Sequence, residues 1–211
     1  TIDANLAEFA ALPPIVLDKA ENVIPPDAVS MHKLWQGPDD LSARVWTAWD
    51  DQHMYVAANI TDAVHRQDST GGSIWRNDML HIGFDMLNDT LDIEFSGKGG
   101  HDGRNDFEMG LALTKNGPEV HEWTSGAEKA RGKHPTARLA VVRDGTHTRY
   151  ELAIPWQELG NAIPRAGHIF GFGFVVMNSN DGETARYWLQ FTPGICGGKD
   201  PSQYADFVLV E

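Results

Sequence analysis

The segment Phe170-Gly171-Phe172-Gly173-Phe174-Val175-Val176 decides the fold class of this chain. Large apolar residues alternate with glycine at a period of two, which is the period at which side chains point to opposite faces of a β-strand. A strand with one apolar side and one small or polar side belongs to a sheet that buries a single face. The segment therefore predicts such a strand.

The same alternation recurs along the rest of the chain, between clusters of Gly, Pro, Asn and Asp. It covers residues 54–60, 80–85, 107–113, 150–154 and 187–191, and a last strand is predicted over 206–210. The clearest helical signal is one turn that begins at Pro155. Ten or more strands without a βαβ rhythm predict an all-β, antiparallel β-sandwich of jelly-roll type. The Gly-rich, charged residues 92–105 are predicted to form a loop rather than a domain boundary, so residues 1–211 are predicted to form one domain.

Composition and charge exclude several classes of function. The chain has 17 Lys and Arg against 30 Asp and Glu, a net charge of −13, which disfavours nucleic acid and anionic membrane partners. No apolar run approaches the ~20 residues that span a bilayer. The single cysteine, Cys196, excludes an internal disulfide and a Cys-rich zinc site.

Trp75 is the first candidate binding residue. It follows the Gly-rich turn Thr70-Gly71-Gly72-Ser73 and precedes a predicted strand, so it lies at a junction where burial is difficult. Sugar rings present an apolar C–H face and a rim of hydroxyls, and an exposed indole suits that face. The alternative is a tryptophan that plugs the edge of the sandwich.

Strand parity places further polar and aromatic side chains on the sheet face opposite the core. These candidates for carbohydrate binding are His81, Glu108, Arg186, Trp188 and Gln190. A histidine, a carboxylate, an arginine, an amide and tryptophans on one face would form a sugar-binding set. A solvated face that binds nothing is the alternative interpretation.

The run Asn178-Ser179-Asn180-Asp181-Gly182-Glu183 alternates oxygen ligands before a glycine. Because Ca²⁺ takes six to eight oxygens, Asn178, Asn180 and Asp181 are candidate calcium ligands. EF-hand spacing is not met, and a plain β-turn explains the same residues.

Six segments, in order along the whole chain, resemble family 9 carbohydrate-binding modules, which occur in multidomain bacterial glycan-degrading enzymes. They are the opening Ile2–Phe9, the Leu41–Ala57 hairpin, Ile60-Thr61-Asp62 with Ile74-Trp75-Arg76-Asn77-Asp78, Tyr150–Trp156, Gly171–Asn178, and the closing Asp200-Pro201-Ser202 to Leu209.

The resemblance implies a β-sandwich with structural calcium and a slot in which aromatic side chains clamp a sugar, often at a chain end. Trp75 matches the first clamp tryptophan. The place of the second reads Cys196-Gly197-Gly198-Lys199, without an aromatic, and Trp188 or Tyr204 are the candidates to replace it. The resemblance further implies a non-catalytic module that binds an oligosaccharide or a plant or microbial polysaccharide. It implies a larger enzyme chain and a secreted, extracellular or periplasmic location.

Two other functions fit the same predicted fold. Related sandwiches bind haem for electron transfer, with Met79, Met109 and His81 as candidate axial ligands here. Alternatively, the domain acts on a glycan as an enzyme in its own right.

Overall fold

The computed structural model describes residues 1–24, 34–89, 105–124, 132–133, 136–160, 162–180, 187–196 and 199–211. These ranges contain thirteen strands. They are β1 (Ile15–Leu17), β2 (Val23–Ile24), β3 (Leu41–Trp49), β4 (His53–Asp62), β5 (Met79–Asp85), β6 (Asp106–Thr114), β7 (Gly117–Thr124), β8 (Gly132–Lys133), β9 (Arg138–Asp144), β10 (His147–Pro155), β11 (Ile169–Asn178), β12 (Tyr187–Gln190) and β13 (Ala205–Val208).

The helices in the described ranges are single 3₁₀ turns or little more. They are Leu6–Phe9, Ala20–Asn22, Gly71–Arg76, Trp156–Glu158 and Pro201–Gln203. None of them is long and apolar enough to cross a membrane. The predicted turn after Pro155 is present, with Pro155 as its N-cap. The all-β prediction is confirmed, whereas the loop predicted over 92–105 lies almost wholly outside the described residues.

The strands form two antiparallel sheets. The first has five strands in the order β1-β3-β4-β10-β9. The second has eight, in the order β2-β12-β11-β5-β6-β7-β8, and β13 pairs with the first half of β11 on the edge where β12 pairs with the second half. The sheets pack face to face, which confirms the predicted sandwich.

The core lies between the sheets and contains the apolar side of every long strand. Leu80, Ile82 and Phe84 of β5 project into it, and the Phe84 and Phe172 rings lie 5.1 Å apart between centroids. The glycines of the Phe-Gly alternation lie on the side of β11 away from the core, against Tyr204. A Cβ at Gly173 would come within 2.9 Å of the Tyr204 ring. Glycine is therefore needed in β11 where this ring lies flat on the sheet.

Candidate functional site

The outer face of the eight-stranded sheet brings four of the predicted binding residues together. Strand pairing sets His81 opposite Gly110 and Val175, and Val175 opposite Gln190, all on the side away from the core. Glu108 lies on the same side, opposite Gly83. Trp188 precedes Gln190 by two residues in β12 and shares its face.

Two segments fold back over this outer face and bury its centre. The 3₁₀ turn Gly71–Arg76 covers one side, and residues 191–196 and 199–204 cover the other. A second apolar cluster forms beneath them, separate from the core between the sheets. Its buried members are Ile74, Met79, Ala112, Val175, Met177, Ile195 and Tyr204. The outer face is therefore a partly enclosed surface rather than the solvated face that was the alternative.

Glu108 is the centre of a buried charged group on this face. Its side chain is 2% exposed, and its Oε1 lies 2.5 Å from His81 Nε2. The Lys199 ammonium group also contacts Oε1, while 40% of the Lys199 side chain remains exposed. A buried carboxylate is costly unless it is paired, so Lys199 and His81 offset the burial of Glu108. Lys199 is therefore the member of this charged group that reaches the protein surface.

Sequence reasoning missed Lys199 as a site residue. In the sequence, residues 196–199 stand out only because they lack the expected clamp aromatic. The neighbouring turn was a usable signal, because Asp200 caps the 3₁₀ helix Pro201–Gln203 and so fixes the chain direction just after Lys199.

Trp75 lies in the 3₁₀ turn with its side chain turned to solvent. Ile74 is fully buried and anchors the turn, whereas Trp75 is 43% exposed. The Arg76 guanidinium lies 5.4 Å from the Trp75 ring centroid. The turn begins at Gly71, whose φ of +58° suits glycine and whose N–H donates to Glu119 Oε1 at 2.5 Å. This exposure favours the platform interpretation over the edge plug.

Trp123 is a second aromatic residue of the site, which the sequence analysis did not single out. It lies two residues after His121, which pairs with Gly110, so strand alternation places both side chains on the outer face. Its ring lies 4.8 Å from that of His81 between centroids, and its Nε1 donates to the Gly72 carbonyl at 3.2 Å. The alternation of His121 and Trp123 along β7 is the signal that could have revealed it.

Trp188 and Tyr204 differ in their ability to replace the missing clamp aromatic. Tyr204 is 7% exposed and lies flat on the glycines of β5 and β11, so the structure contradicts a role for it as an open plate. Burial holds the pKa of its phenol well above the usual range. Trp188 is half-buried against the outer apolar cluster.

The remaining predicted residues fall in three places. Arg186 and Asp181 lie outside the described residues, as do Gly197 and Gly198. Asn180 is half-buried in the turn after β11. Asn178 ends β11 with a side chain that is fully buried, and neither of its amide atoms has a hydrogen-bond partner in the described part of the chain.

The structure argues against the haem interpretation. Met109 is fully buried in the core between the sheets, whereas Met79 and His81 project from the opposite face of the same sheet. Met109 therefore cannot share an iron with either of them.

A group of two carboxylates and a histidine lies at one end of the sandwich. Asp62 ends β4 and is 3% exposed, and Asp78 precedes β5 and is 4% exposed. His65 Nδ1 lies 3.8 Å from Asp62 Oδ2 and 3.6 Å from Asp78 Oδ2. Burial, reinforced by the charge of Asp62, raises the pKa of Asp78 to about 8. Burial also raises the pKa of Asp62 and, with the charge of Arg143, lowers that of His65.

Solved structures show the same fold. A family 9 carbohydrate-binding module from Caldicellulosiruptor kristjanssonii, solved with cellotriose, matches at a TM-score of 0.70 and 15% identity over 99% of this chain and 88% of that one. A family 9 module from the same organism, solved with glucose, matches at a TM-score of 0.59 and 17% identity, over 81% and 77% of the two chains. A comparison with curated protein sequences found no match.

The sequence itself matches a family model. Residues 18–211 match the model described as carbohydrate family 9 binding domain-like, which is most of the chain. This match confirms the resemblance drawn from the sequence motifs, and it identifies a binding module rather than an enzyme. The chain belongs to the carbohydrate family 9 binding domain-like family.

Proposed function

We propose that the outer face of the eight-stranded sheet binds the end of an oligosaccharide or polysaccharide chain, with Trp75 as its stacking platform. The observation that carries this proposal is a tryptophan that is 43% exposed at the rim of a partly enclosed, charged surface. Sites for sugars pair an aromatic ring with polar groups that fix the orientation of the ligand. Trp75 supplies the aromatic ring, and Lys199 supplies a polar group.

The buried position of Glu108 and His81 gives them a positioning role in this proposal. Both side chains are less than a tenth exposed, so a sugar meets Lys199 before it meets either of them. Glu108 holds the Lys199 ammonium group in place, and His81 holds Glu108. Gln190 and Trp188 lie on the same face and complete the polar and apolar surroundings. Arg186, outside the described residues, remains a prediction.

Cellotriose is the first ligand to test, because a relative of the same fold was solved with it. With a single exposed plate, we expect weak binding, in the high-micromolar to millimolar range. Stacking on one aromatic ring contributes ~1–3 kcal/mol by analogy with nucleic-acid bases, so Trp75→Ala should weaken binding about ten- to hundredfold. The melting temperature should change little, because the ring is largely outside the core. Isothermal titration calorimetry and thermal unfolding measure both quantities.

Trp46→Ala is the matched control. Trp46 is a half-buried tryptophan of the five-stranded sheet, whose Nε1 donates to the Leu12 carbonyl on the other side of the molecule. It should bind cellotriose as the wild type does. Unchanged binding by Trp75→Ala, together with a large loss of stability, would show that Trp75 is a structural plug.

We also propose that calcium stabilises the fold at the turn after β11. Asn180 Oδ1 is a buried oxygen atom without a hydrogen-bond partner in the described part of the chain, and such oxygen atoms are the ligands that Ca²⁺ prefers. The other two predicted ligands are Asp181, outside the described residues, and Asn178, whose side chain strand parity places between the sheets, opposite Asp78.

Chelation tests this calcium proposal directly. A ligand that binds only the native state raises its stability by mass action, so treatment with EGTA followed by dialysis should lower the melting temperature, and Ca²⁺ added alone to the dialysed protein should restore it. Asn180→Ala should reduce this calcium response. Superimposable melting curves with EGTA and with Ca²⁺ would refute the proposal.

The larger context remains a prediction from the family resemblance. We propose that the module is secreted and joined to a glycoside hydrolase or another glycan-degrading enzyme, which it would hold near its substrate. Sequencing the gene around the coding segment tests this proposal.

A further inference from the structure

The acidic cluster at the end of the sandwich joins the two sheets. Asp62 comes from the end of β4 in the five-stranded sheet, and Asp78 comes from the start of β5 in the eight-stranded sheet. His65 lies on the connection between them. One ligand atom from each residue, an Oδ2 from each aspartate and Nδ1 from the histidine, lies within 4.8 Å of the other two.

Backbone amides fix the two carboxylates in this arrangement. The Val64 N–H donates to Asp62 Oδ1 at 3.0 Å, and the Ser179 N–H donates to Asp78 Oδ1 at 2.5 Å. The Arg66 N–H also donates to Asp78 Oδ2. These bonds orient the carboxylates so that their Oδ2 atoms converge on His65 Nδ1, which makes the three donors a preformed group rather than mobile side chains.

Asn178 supplies a second, independent indication of a ligand. Met177 of β11 pairs with Met79 of β5, so Asn178 lies one position further, opposite Asp78. Strand parity turns its side chain to the space between the sheets, on the side of Val176. The side chain is fully buried, yet neither amide atom has a hydrogen-bond partner among the described residues. Because a buried amide is normally hydrogen-bonded, this amide needs a partner that protein atoms do not provide.

The charges of the described residues also leave room for a cation. Arg143 approaches Asp62 Oδ2 to 3.8 Å, but it donates its hydrogen bonds to Thr148 Oγ1 at 2.9 Å and to the Asp62 carbonyl at 2.8 Å. One guanidinium therefore stands beside two buried carboxylates. A divalent cation between the Oδ2 atoms would pair with both carboxylates at once.

We propose that Asp62, His65 and Asp78 bind one divalent transition-metal ion of the zinc type, with the Asn178 amide facing the same site. The donor set decides the class of metal. One imidazole nitrogen and two carboxylate oxygens suit zinc and its neighbours, which also bind at sites with three protein ligands and a fourth position open, whereas Ca²⁺ takes six to eight oxygens. The ion would tie the end of β4 to the start of β5 and so link the two sheets.

Metal titration of the intact chain tests the proposal. The protein is stripped with EDTA and dialysed, and its melting temperature is then measured with Zn²⁺, Co²⁺ and Ca²⁺ separately. Zn²⁺ and Co²⁺ should each raise it in a saturable, one-to-one manner, and bound Co²⁺ should show visible absorption bands. In the His65→Gln variant, which keeps both carboxylates, Zn²⁺ affinity should fall at least tenfold and the Co²⁺ bands should change.

His53→Gln is the matched control for surface histidines. His53 Nδ1 also lies 3.6 Å from a carboxylate oxygen, that of Asp50, but at the opposite end of β4 from Asp62. This variant should bind Zn²⁺ as the wild type does. Zinc binding that His65→Gln leaves unchanged would overturn the proposal. So would a site that takes Ca²⁺ in preference to Zn²⁺, or the absence of any zinc effect, which would mean that the aspartates share a proton instead. Each result is independent of sugar binding.

Discussion

At the residue scale, Glu108 and Lys199 differ in what each would lose without the other. The Lys199 side chain is 40% exposed and can turn its ammonium group into water, whereas Glu108 is 2% exposed and cannot. An unsatisfied buried charge costs more than an exposed one. Loss of the partner should therefore destabilise the protein more when Glu108 is left unpaired than when Lys199 is.

This asymmetry predicts the order of two variants. Lys199→Met leaves the carboxylate buried with one fewer partner and should lower the free energy of unfolding by about 1–3 kcal/mol. Glu108→Gln removes the buried charge and frees Lys199 to meet water, so it should cost less. Urea unfolding of both proteins checks the order, and a larger loss for Glu108→Gln would show that the carboxylate has a stabilising role beyond this pair.

At the element scale, β6 and β7 together build part of the candidate site. Strand alternation places Trp123 on the outer face, two residues after His121, and Gly110 of β6 leaves space for its ring. A Cβ at Gly110 would come within 2.6 Å of Trp123 Cη2 and 2.9 Å of Ile74 Cδ1. Because Gly110 has no side chain, Trp123 and Ile74, which anchors the turn that carries Trp75, can both pack against this position of β6.

Gly110→Ala should therefore displace Trp123. Overpacking of this kind typically costs about 1–3 kcal/mol. We expect a lower melting temperature, a shift in tryptophan fluorescence and weaker glycan binding together. Gly72→Ala is the milder comparison, because the nearest atom to a Cβ there is His121 Nε2 at 3.3 Å, the end of a side chain that needs to move by only a few tenths of an ångström. Equal stability of the two variants would show that the outer cluster can repack around the added methyl group.

At the scale of the whole molecule, the N-terminal segment is fastened across the outer face of the five-stranded sheet. The N–H groups of Asp3 and Ala4 donate to Glu151 Oε2 at 2.9 and 2.8 Å, and Arg149 Nε donates to the Ala4 carbonyl at 3.2 Å. Glu151 is 2% exposed although it projects away from the core. The N-terminal segment therefore supplies hydrogen-bond donors to the buried carboxylate, and the carboxylate holds the segment in place.

Glu151→Gln should loosen this segment without changing the sandwich. The amide keeps the shape of the side chain but turns charge-assisted hydrogen bonds into neutral ones, which are roughly half as strong. We expect a loss of about 1–2 kcal/mol and faster hydrogen exchange at Asp3 and Ala4. Glu8→Gln, at a side chain that is 57% exposed, should change neither quantity. Unchanged exchange in Glu151→Gln would mean that other contacts hold the segment.

The sequence by itself determined the fold class, the strands that form the core and the outward position of His81, Glu108, Trp188 and Gln190. Each of these follows from the period of two, which is a local property that neighbouring residues reveal. For Trp75, the glycines before it predicted a position at a loop-to-strand junction but left the platform and the edge plug as alternatives. Ordered motifs along the chain also predicted the family.

Only the tertiary structure decided which distant residues meet. Lys199 reaches Glu108 across 91 positions in the chain, and β11 brings Asn178 beside Asp78 across about as many. These contacts depend on which strands are neighbours and in what register, and a register is set by packing of the whole sheet. The charged group and the metal site thus arise from lateral strand pairing, which the alternation within a single strand does not encode.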